Sequence, residues 1–542
     1  MIQLDNRYYI LTNPSAGTWL DITADVMQSN SKWTKGIPSS HPLERVASVG
    51  QCMFTLKNDA LSGVEHRYTP GHANCVAGFR VKAKIKIVTT WGAHHKTQWI
   101  GWIPPDGILP IRNGSVARFV NVSAVDWMYF ALNFPITLQV IGINQTLGEV
   151  GSGLAALLEA QPSRIDLTNY EEIFESTNDT IRESTTVYSE LVKAVISEVG
   201  YCYITYEMDS ASDDILVFEG REYRNSIPPY NATETYEAMA LQAESGEELL
   251  TEAGDQIIVG AAEFFDYLTD IIDYKFVNGA HFVNRVIGKA YPRRVETSDL
   301  NLFTLNAPIE IAPGETISNL QIRYTVLDGY SSVSAQNVSM SSYEMNTASD
   351  GSGSDISSDL TITSNLGASD ALLSLQNTGE TPGYVTEITI QGKPIYIGET
   401  VSQFADISTL DDEFYGKIEM TLDQKYISNP ATTLTQISLI ANRYSERRNT
   451  IEEVVFVPNL SEMLAGLYMV CDVGSKISLK SSDMESTEDY FIQGIETWMD
   501  SMVTFCRLFV KPARLDSYSF WEIGVHGKSE LGVTTVLGPE EA

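Results

Sequence analysis

The stretch RVKAKIKIV at 80–88 alternates strictly, with Val81, Ala83, Ile85 and Ile87 on one side and Lys82, Lys84 and Lys86 on the other. A period of two suits a half-buried antiparallel strand and no helix, because successive side chains of an extended chain point to opposite faces. KTQWIGWI (96–103) reads as a second strand, and Gly92 between the two supplies the turn of a hairpin. ERVASVGQCMFTLKND (44–59) carries the same signal. Residues 1–145 are therefore expected to be strands joined by short turns.

The hairpin tip carries two adjacent histidines, His94 and His95, in WGAHHK. Neighbours on an extended chain splay apart, and no Asp, Glu or Cys lies within six residues of the pair. The expectation is an exposed turn without metal. The acidic turn DSASDD (209–214) offers carboxylates but lacks the mid-loop glycine and closing glutamate of a calcium loop, so it reads as a solvated turn. His72 stands three residues before Cys75, with no third partner visible for a nucleophile and its base. The five cysteines, Cys52, Cys75, Cys202, Cys471 and Cys506, show no C-x-x-C spacing and are expected to be free thiols. No G-x-G-x-x-G opens a helix, and P-loop, H-E-x-x-H and G-x-S-x-G motifs are missing. The sequence thus assigns no catalytic, cofactor-binding or metal residue, no cofactor, and no enzyme activity.

At 542 residues the chain is long enough for several cores, and three to five domains are expected. Its 70 Asp and Glu against 36 Lys and Arg leave a formal charge of −34, which repels nucleic acid instead of recruiting it. MIQLDNRYYILTNPSAG has no basic-then-apolar pattern, so no signal peptide is expected, and the seven N-x-[ST] matches from Asn113 to Asn459 carry no weight. AVDWMYFALNFPITLQVIGI (124–143) has the length of a membrane span. It is interrupted by Asp126, Asn133, Pro135 and Gln139, and is read as core strand material without stable membrane insertion.

Helical spacing appears at 147–161 and at 185–200, where Val187, Leu191, Val195 and Ile196 share a face and Gly200 closes the helix. YCYITYEM (201–208) and ILVFEGREYR (215–224) form a hairpin across the acidic turn. A long acidic helix is expected over 243–273, on the spacing of Ile257, Ala261, Phe264, Leu268 and Ile271. Polar strands dominate 300–395 and suggest a small β-sandwich with NTASDGSGSDISSD (346–359) as an exposed loop. A helix at 431–447 and a strand at 450–458 follow, and strands return from about 461.

The order ERVASVGQCMFTLKND, RYTPGH, WIGWIPPDG, VSAVDWM resembles the first barrel of baseplate and tail-tip hub proteins of tailed bacteriophages. FEGREYR, APIEIAPGET, LQNTG, ITIQGKPI, TIEEVVFVPN, YFIQGIETWM and SELGVTTVLG are similar to later parts of that family, which is related to the spike-hub proteins of contractile injection systems. The resemblance implies a multidomain, β-rich α+β chain with two small antiparallel β-barrel-like modules. Those would be 1–145 and 461–542, the latter ending in an extended tail. Between them would lie an α+β domain at 146–299, a β-sandwich-like insertion at 300–395, and a returning α+β segment at 396–460. It also implies a non-enzymatic virion protein, assembled in the host bacterial cytoplasm and placed in the tail. As a homotrimer it would join the tail tube or distal tail protein to a central spike or fibre, around a channel that DNA passes without specific binding. The competing readings are a receptor- or sugar-binding tail protein and a tail-associated cell-wall hydrolase.

Overall fold

The computed structural model describes residues 2–14, 17–59, 64–113, 117–136, 141–168, 172–179, 181, 185–209, 214–227, 265–266, 271–278, 281–325, 333–407, 416–445, 449–481, 486–500 and 503–513. The chain is multidomain and β-rich, with few helices among the described residues.

Its largest element is one sheet of 14 strands. The first segment contributes β1 (Asp5–Asn13), β2 (Thr18–Asp21), β3 (Val26–Gly36), β4 (Gln51–Lys57), β5 (Lys84–Trp91), β6 (His94–Trp102), β7 (Ile108–Asn113) and β8 (Ala117–Val125). Far later in sequence come β9 (Phe265–Asp266), β10 (Ile271–Asn278), β11 (Asn449–Phe456), β12 (Lys476–Ser481), β13 (Ser486–Asp500) and β14 (Val503–Pro512). The path runs β10-β11-β14-β13-β3-β4-β8-β6-β5-β1-β2, with β7 on β8, β12 on β13 and β9 on β12. The sheet branches at β8 and β13 but its pairings never return on themselves, and no closed barrel forms among the described strands. The reason is local: β13 takes the edge of β3, pairing Gly494 with Gly36, Glu496 with Thr34 and Trp498 with Lys32.

The alternation at 81–87 places Ala83, Ile85 and Ile87 in the core of the first segment, while Val81 is exposed. That core also contains Trp33, Phe54, Leu56 and Trp99, and is completed by Met499 from β13. Tyr8 Oη and Asn6 Nδ2 both donate to the Met499 sulfur, and Asn6 Nδ2 donates to Thr504 Oγ1 at 3.1 Å.

Helix α1 (Trp127–Asn133) occupies the middle of the stretch expected to be strand at 124–143. Asp126 explains it, since its carboxylate accepts the Met128 N–H as an N-cap and Trp127, Met128 and Ala131 face the core. Helices α2 (Leu147–Ala155) and α3 (Val187–Glu198) stand where their spacing predicts, each opened by a threonine capping box. Val199, not Gly200, takes the left-handed position that ends α3. Gly200 answers a different need, because a Cβ there would stand 2.1 Å from the Glu219 carbonyl oxygen. The hairpin of strands Tyr201–Thr205 and Ile215–Glu219 follows as expected.

Most of the acidic helix expected at 243–273 lies outside the described residues. Its end is corrected: residues 271–273 open β10, which pairs with β11. Five antiparallel strands between Arg293 and Ile397 form one sheet, and Thr316–Arg323, Leu360–Leu366 and Asp370–Asn377 form a second. Leu302, Ile388 and Ile390 of the first and Ile322, Leu373 and Leu375 of the second share one core. Helix α4 (Pro430–Tyr444) packs on strands Arg285–Ala290 and Val401–Asp406. The expected return to strands at 461 begins instead with a helix, α5 (Glu462–Val470), capped by Ser461.

Candidate functional site

The first, middle and last segments meet at a buried polar junction. Lys35 on β3 and Lys96 on β6 both reach Asp472, which follows α5 and Cys471. Lys35 Nζ is 2.6 Å from Asp472 Oδ2, and Lys96 Nζ is 3.0 Å from the same oxygen. Lys96 Nζ also donates to the Cys471 carbonyl at 2.8 Å, and the Val473 N–H donates to Asp472 Oδ1 at 2.7 Å. The Lys35 ammonium lies 4.4 Å from the centre of the Tyr206 ring, whose hydroxyl accepts the Ile100 N–H at 3.2 Å. All three ionic side chains are buried. Burial raises the Asp472 carboxyl, but Lys35 and Lys96 outweigh it and hold it below the usual carboxylate range.

A second buried pair adjoins it. Arg224 Nε donates to Glu219 Oε2 at 2.8 Å, Tyr203 Oη donates to Glu219 Oε1, and the guanidinium lies 3.6 Å from the centre of the Tyr201 ring. Lys511 Nζ on β14 donates to Tyr201 Oη at 2.9 Å. These contacts tie the FEGREYR segment to the last strand of the sheet. They are structural ion pairs, closed off from solvent.

The structure places the histidine pair at the end of the β5–β6 hairpin, as expected, but not free of carboxylates. Asp209, from the acidic turn read as solvated, docks on it. His94 Nδ1 is 2.6 Å from Asp209 Oδ2, and His95 Nδ1 is 3.1 Å from Oδ1. The His95 N–H donates to Oδ1 at 2.8 Å, and the Asp209 N–H returns a bond to the His95 carbonyl at 2.8 Å. The two imidazoles thus share one carboxylate instead of splaying apart. Among the described residues no group of three or more His, Cys, Asp and Glu side chains is arranged to hold a metal ion.

His72 and Cys75 do not form a nucleophile and base. The Cys75 sulfur faces the carbonyls of Val76 and Phe79, and burial raises its thiol pKa. His72 stacks on His66 at 4.3 Å, and its Nδ1 accepts the Asn74 N–H. All five cysteines are free. Burial pushes the thiols of Cys471 and Cys506 up to about 12, so neither is a ready thiolate.

One grouping escaped the sequence reading. Ser40 Oγ is 2.8 Å from His281 Nε2 and donates to Glu452 Oε1 at 2.8 Å. A serine nucleophile needs the carboxylate on the far ring nitrogen, where it orients the base. Here Glu452 lies 3.4 Å from the same Nε2 and is also held by Lys275 at 2.8 Å. That arrangement pins a loop to β11. It does not activate a hydroxyl.

What remains is a surface. Register carries one solvent-side face of the sheet from β14 through β13, β3 and β4 to β8, through Phe505, Trp498, Lys32, Met53 and Ser123; on the same face of β8, two residues back, Asn121 pairs with Leu109 of β7. Trp498 stacks on Phe505 at 5.3 Å, and Lys32 pairs with Glu496. Beside them an open groove of about 930 Å³ is lined by Met27, Met53, Leu109, Ile111 and Phe119 among others. Leu109 is 60% exposed and Met53 46%. The face belongs to both ends of the chain at once.

No protein-family model matches the sequence, and no curated protein matches it. Solved structures to which this chain is similar include the 43 kDa tail protein of prophage MuSo2 from Shewanella oneidensis. It is 8% identical, covers 94% of this chain and 100% of its own, and superposes with a TM-score of 0.47. A tail protein from Neisseria meningitidis is 9% identical over 95% of this chain and 99% of its own, with a TM-score of 0.47. An E. coli component of the type VI secretion system, described as structurally similar to T4 bacteriophage tail proteins, is 8% identical over 94% of this chain and 76% of its own, with a TM-score of 0.34.

Proposed function

We propose that this chain is a structural virion protein, the central hub at the tail tip or baseplate of a tailed bacteriophage. One observation carries the reading: β13 pairs with β3, so the two β-rich ends of the chain stand side by side with one continuous solvent face. A hub that completes a ring from a few copies, each supplying two adjacent β-rich modules, needs such a juxtaposition within the subunit. The ordered motifs of the sequence support the same reading. In it, residues 1–145 and the last strands act as quasi-equivalent barrel-like modules, and the two-sheet unit between Arg293 and Ile397 is a sandwich-like insertion.

The subunit works as a homotrimer between the tail tube or distal tail protein and a central spike or fibre, and it catalyses no reaction. Three copies, each with a formal charge of −34, give DNA in the channel no cationic wall on which to exchange counterions. The genome passes without being held.

The mass of the protein in solution, measured by analytical ultracentrifugation, tests the assembly. Three times the 59.9 kDa chain mass is expected. A monomer that binds a cell-surface glycan would favour the receptor-binding reading, and cell-wall hydrolysis in a zymogram would favour the hydrolase. Labelling of the protein at any place in a phage particle other than the tail tip defeats the hub.

A further inference from the structure

We propose that the place where the first, middle and last segments meet is a proton-sensitive joint, because its buried charges are unevenly paired: Lys35 and Lys96 share the one carboxylate of Asp472, while the Asp126 carboxyl is buried with no cation in ion-pair reach among the described residues. The inference stands apart from the hub reading and rests on the junction alone.

Each packed element contributes. Strand β3 brings Lys35, β6 brings Lys96, and the turn after α5 brings Cys471 and Asp472; Cys506 comes from β14. The middle segment brings Tyr206 and Asp214, the latter accepting from Ser163 Oγ at 2.6 Å with Lys84 Nζ at 3.8 Å. Asp126 caps α1. Two ammoniums therefore share the one carboxylate of Asp472. Asp126 receives the Met128 N–H at 3.0 Å but has no cation within ion-pair reach among the described residues.

The two groups respond to pH in opposite senses. Burial raises the Asp126 carboxyl from 3.8 to about 8, with Asp214 adding to the rise and the backbone bonds of Gly50 and Met128 opposing it. Burial lowers Lys35 from 10.5 to about 8, with Asp472 opposing and Lys96 adding. Between 3.8 and about 8 the folded chain keeps an Asp126 proton that the unfolded chain has released, so stability falls as pH rises. Between about 8 and 10.5 the folded chain has released a Lys35 proton that the unfolded chain keeps, so stability recovers. The joint is held least firmly near pH 8.

Asp126→Asn keeps an N-cap acceptor, and Lys35→Met keeps most of the buried stem while leaving Lys96 and Asp472 as a balanced pair. Denaturant midpoints of the full chain and both variants are compared across pH as differences, because the acidic surface moves all three together. The gain of Asp126→Asn over the parent should grow with pH up to about 8 and then level off. The gain of Lys35→Met should hold below about 8 and fade above it. Independently of any variant, exchange of the Ile100 and Val473 amides, corrected for intrinsic rate, should be fastest relative to the rest of the sheet near pH 8. Differences that do not change with pH overturn the proposal; if a variant fails to fold, flat relative exchange at the two amides overturns it instead.

Discussion

His94 and Asp209 stand 115 residues apart in sequence, and the imidazole Nδ1 lies 2.6 Å from the carboxylate Oδ2. The contact fastens the tip of a hairpin in the first segment to the turn of a hairpin in the middle segment. A backbone bridge between Lys96 and Met208 runs alongside it. The next residue along β6 from the histidines is Lys96, which enters the buried junction. One strand therefore carries both the outer latch and the inner ion pair.

Asp209→Asn should weaken the latch without breaking it. Asparagine accepts the His95 N–H and tolerates the left-handed backbone at φ 53°. Only the charge is lost, and Asp209 is 38% exposed, so solvent screening keeps the cost to about 0.5–1 kcal/mol. Burial raises the Asp209 carboxyl, but the His94 side chain and the His95 N–H outweigh it and leave it below 3.8. A depressed carboxylate contributes stability above its unfolded value, lost as pH falls through the folded one. The difference between parent and variant should therefore shrink below pH 3.8, measured by urea unfolding. A difference that widens on acidification contradicts the assignment.

Asp472→Asn should be far more costly. It leaves two buried ammoniums facing each other without a carboxylate, a change on the order of 3–5 kcal/mol. Adding Lys35→Met to the variant should restore part of the loss, because one of the stranded charges is removed. A change on adding Lys35→Met no larger than the change it makes in the parent would show that Lys35 and Asp472 are not coupled.

Much of the local structure was legible because its causes are local. The alternation at 81–87 found a strand whose Ile85 and Ile87 are fully buried, and the helical spacing over 147–161 found α2 at Leu147–Ala155. Helices α1 and α5 were missed although their caps, Asp126 and Ser461, were in plain sight. Their apolar runs are short, and short runs do not separate helix from strand. The contact of His94 with Asp209 and the pairing of β13 with β3 could not be read at all. Both join residues remote in sequence, and strand alternation specifies a face without specifying which partner it meets. The candidate site suffered most, since every residue of the junction looks ordinary alone.

Arg293 and Asp179 couple the middle segment to the strands that begin the two-sheet unit. Arg293 Nε and Nη2 lie 2.5 and 3.1 Å from the two oxygens of Asp179, and Nη2 also donates to the Lys425 carbonyl at 2.6 Å. Both side chains are buried. Lysine presents a point charge in place of a planar fork, so Arg293→Lys should cost about 2–4 kcal/mol despite keeping the charge. Limited proteolysis should then cut first at the connections of the two-sheet unit. Cleavage no faster than in the parent would show that the pair does not hold that unit in place.

The seam between β3 and β13 offers the sharpest test of the sheet. Gly36 faces Gly494 across it, and Gly36 has φ +83°, which an L side chain rarely adopts. A Cβ at Gly36 would lie 2.5 Å from the Gln493 carbonyl oxygen and 2.9 Å from the Gly494 Cα, so backbone must shift to admit it. A Cβ at Gly494 would stand 2.8 Å from the Ile37 carbonyl oxygen. Left-handed backbone costs an alanine about 1–2 kcal/mol and overpacking about 1–3 more, so Gly36→Ala should lose on the order of 2–5 kcal/mol. Gly92, also at positive φ but with open space around its Cβ, is the control, and Gly92→Ala should lose only the backbone share. Because Met499 completes the first core, opening the seam should also expose Tyr8 and Trp33. Tryptophan fluorescence during denaturation should therefore shift together with the loss of β-sheet circular dichroism in Gly36→Ala. Two separated transitions in the parent protein would mean that the ends of the chain fold as independent units, and the shared sheet would not be the cooperative element described above.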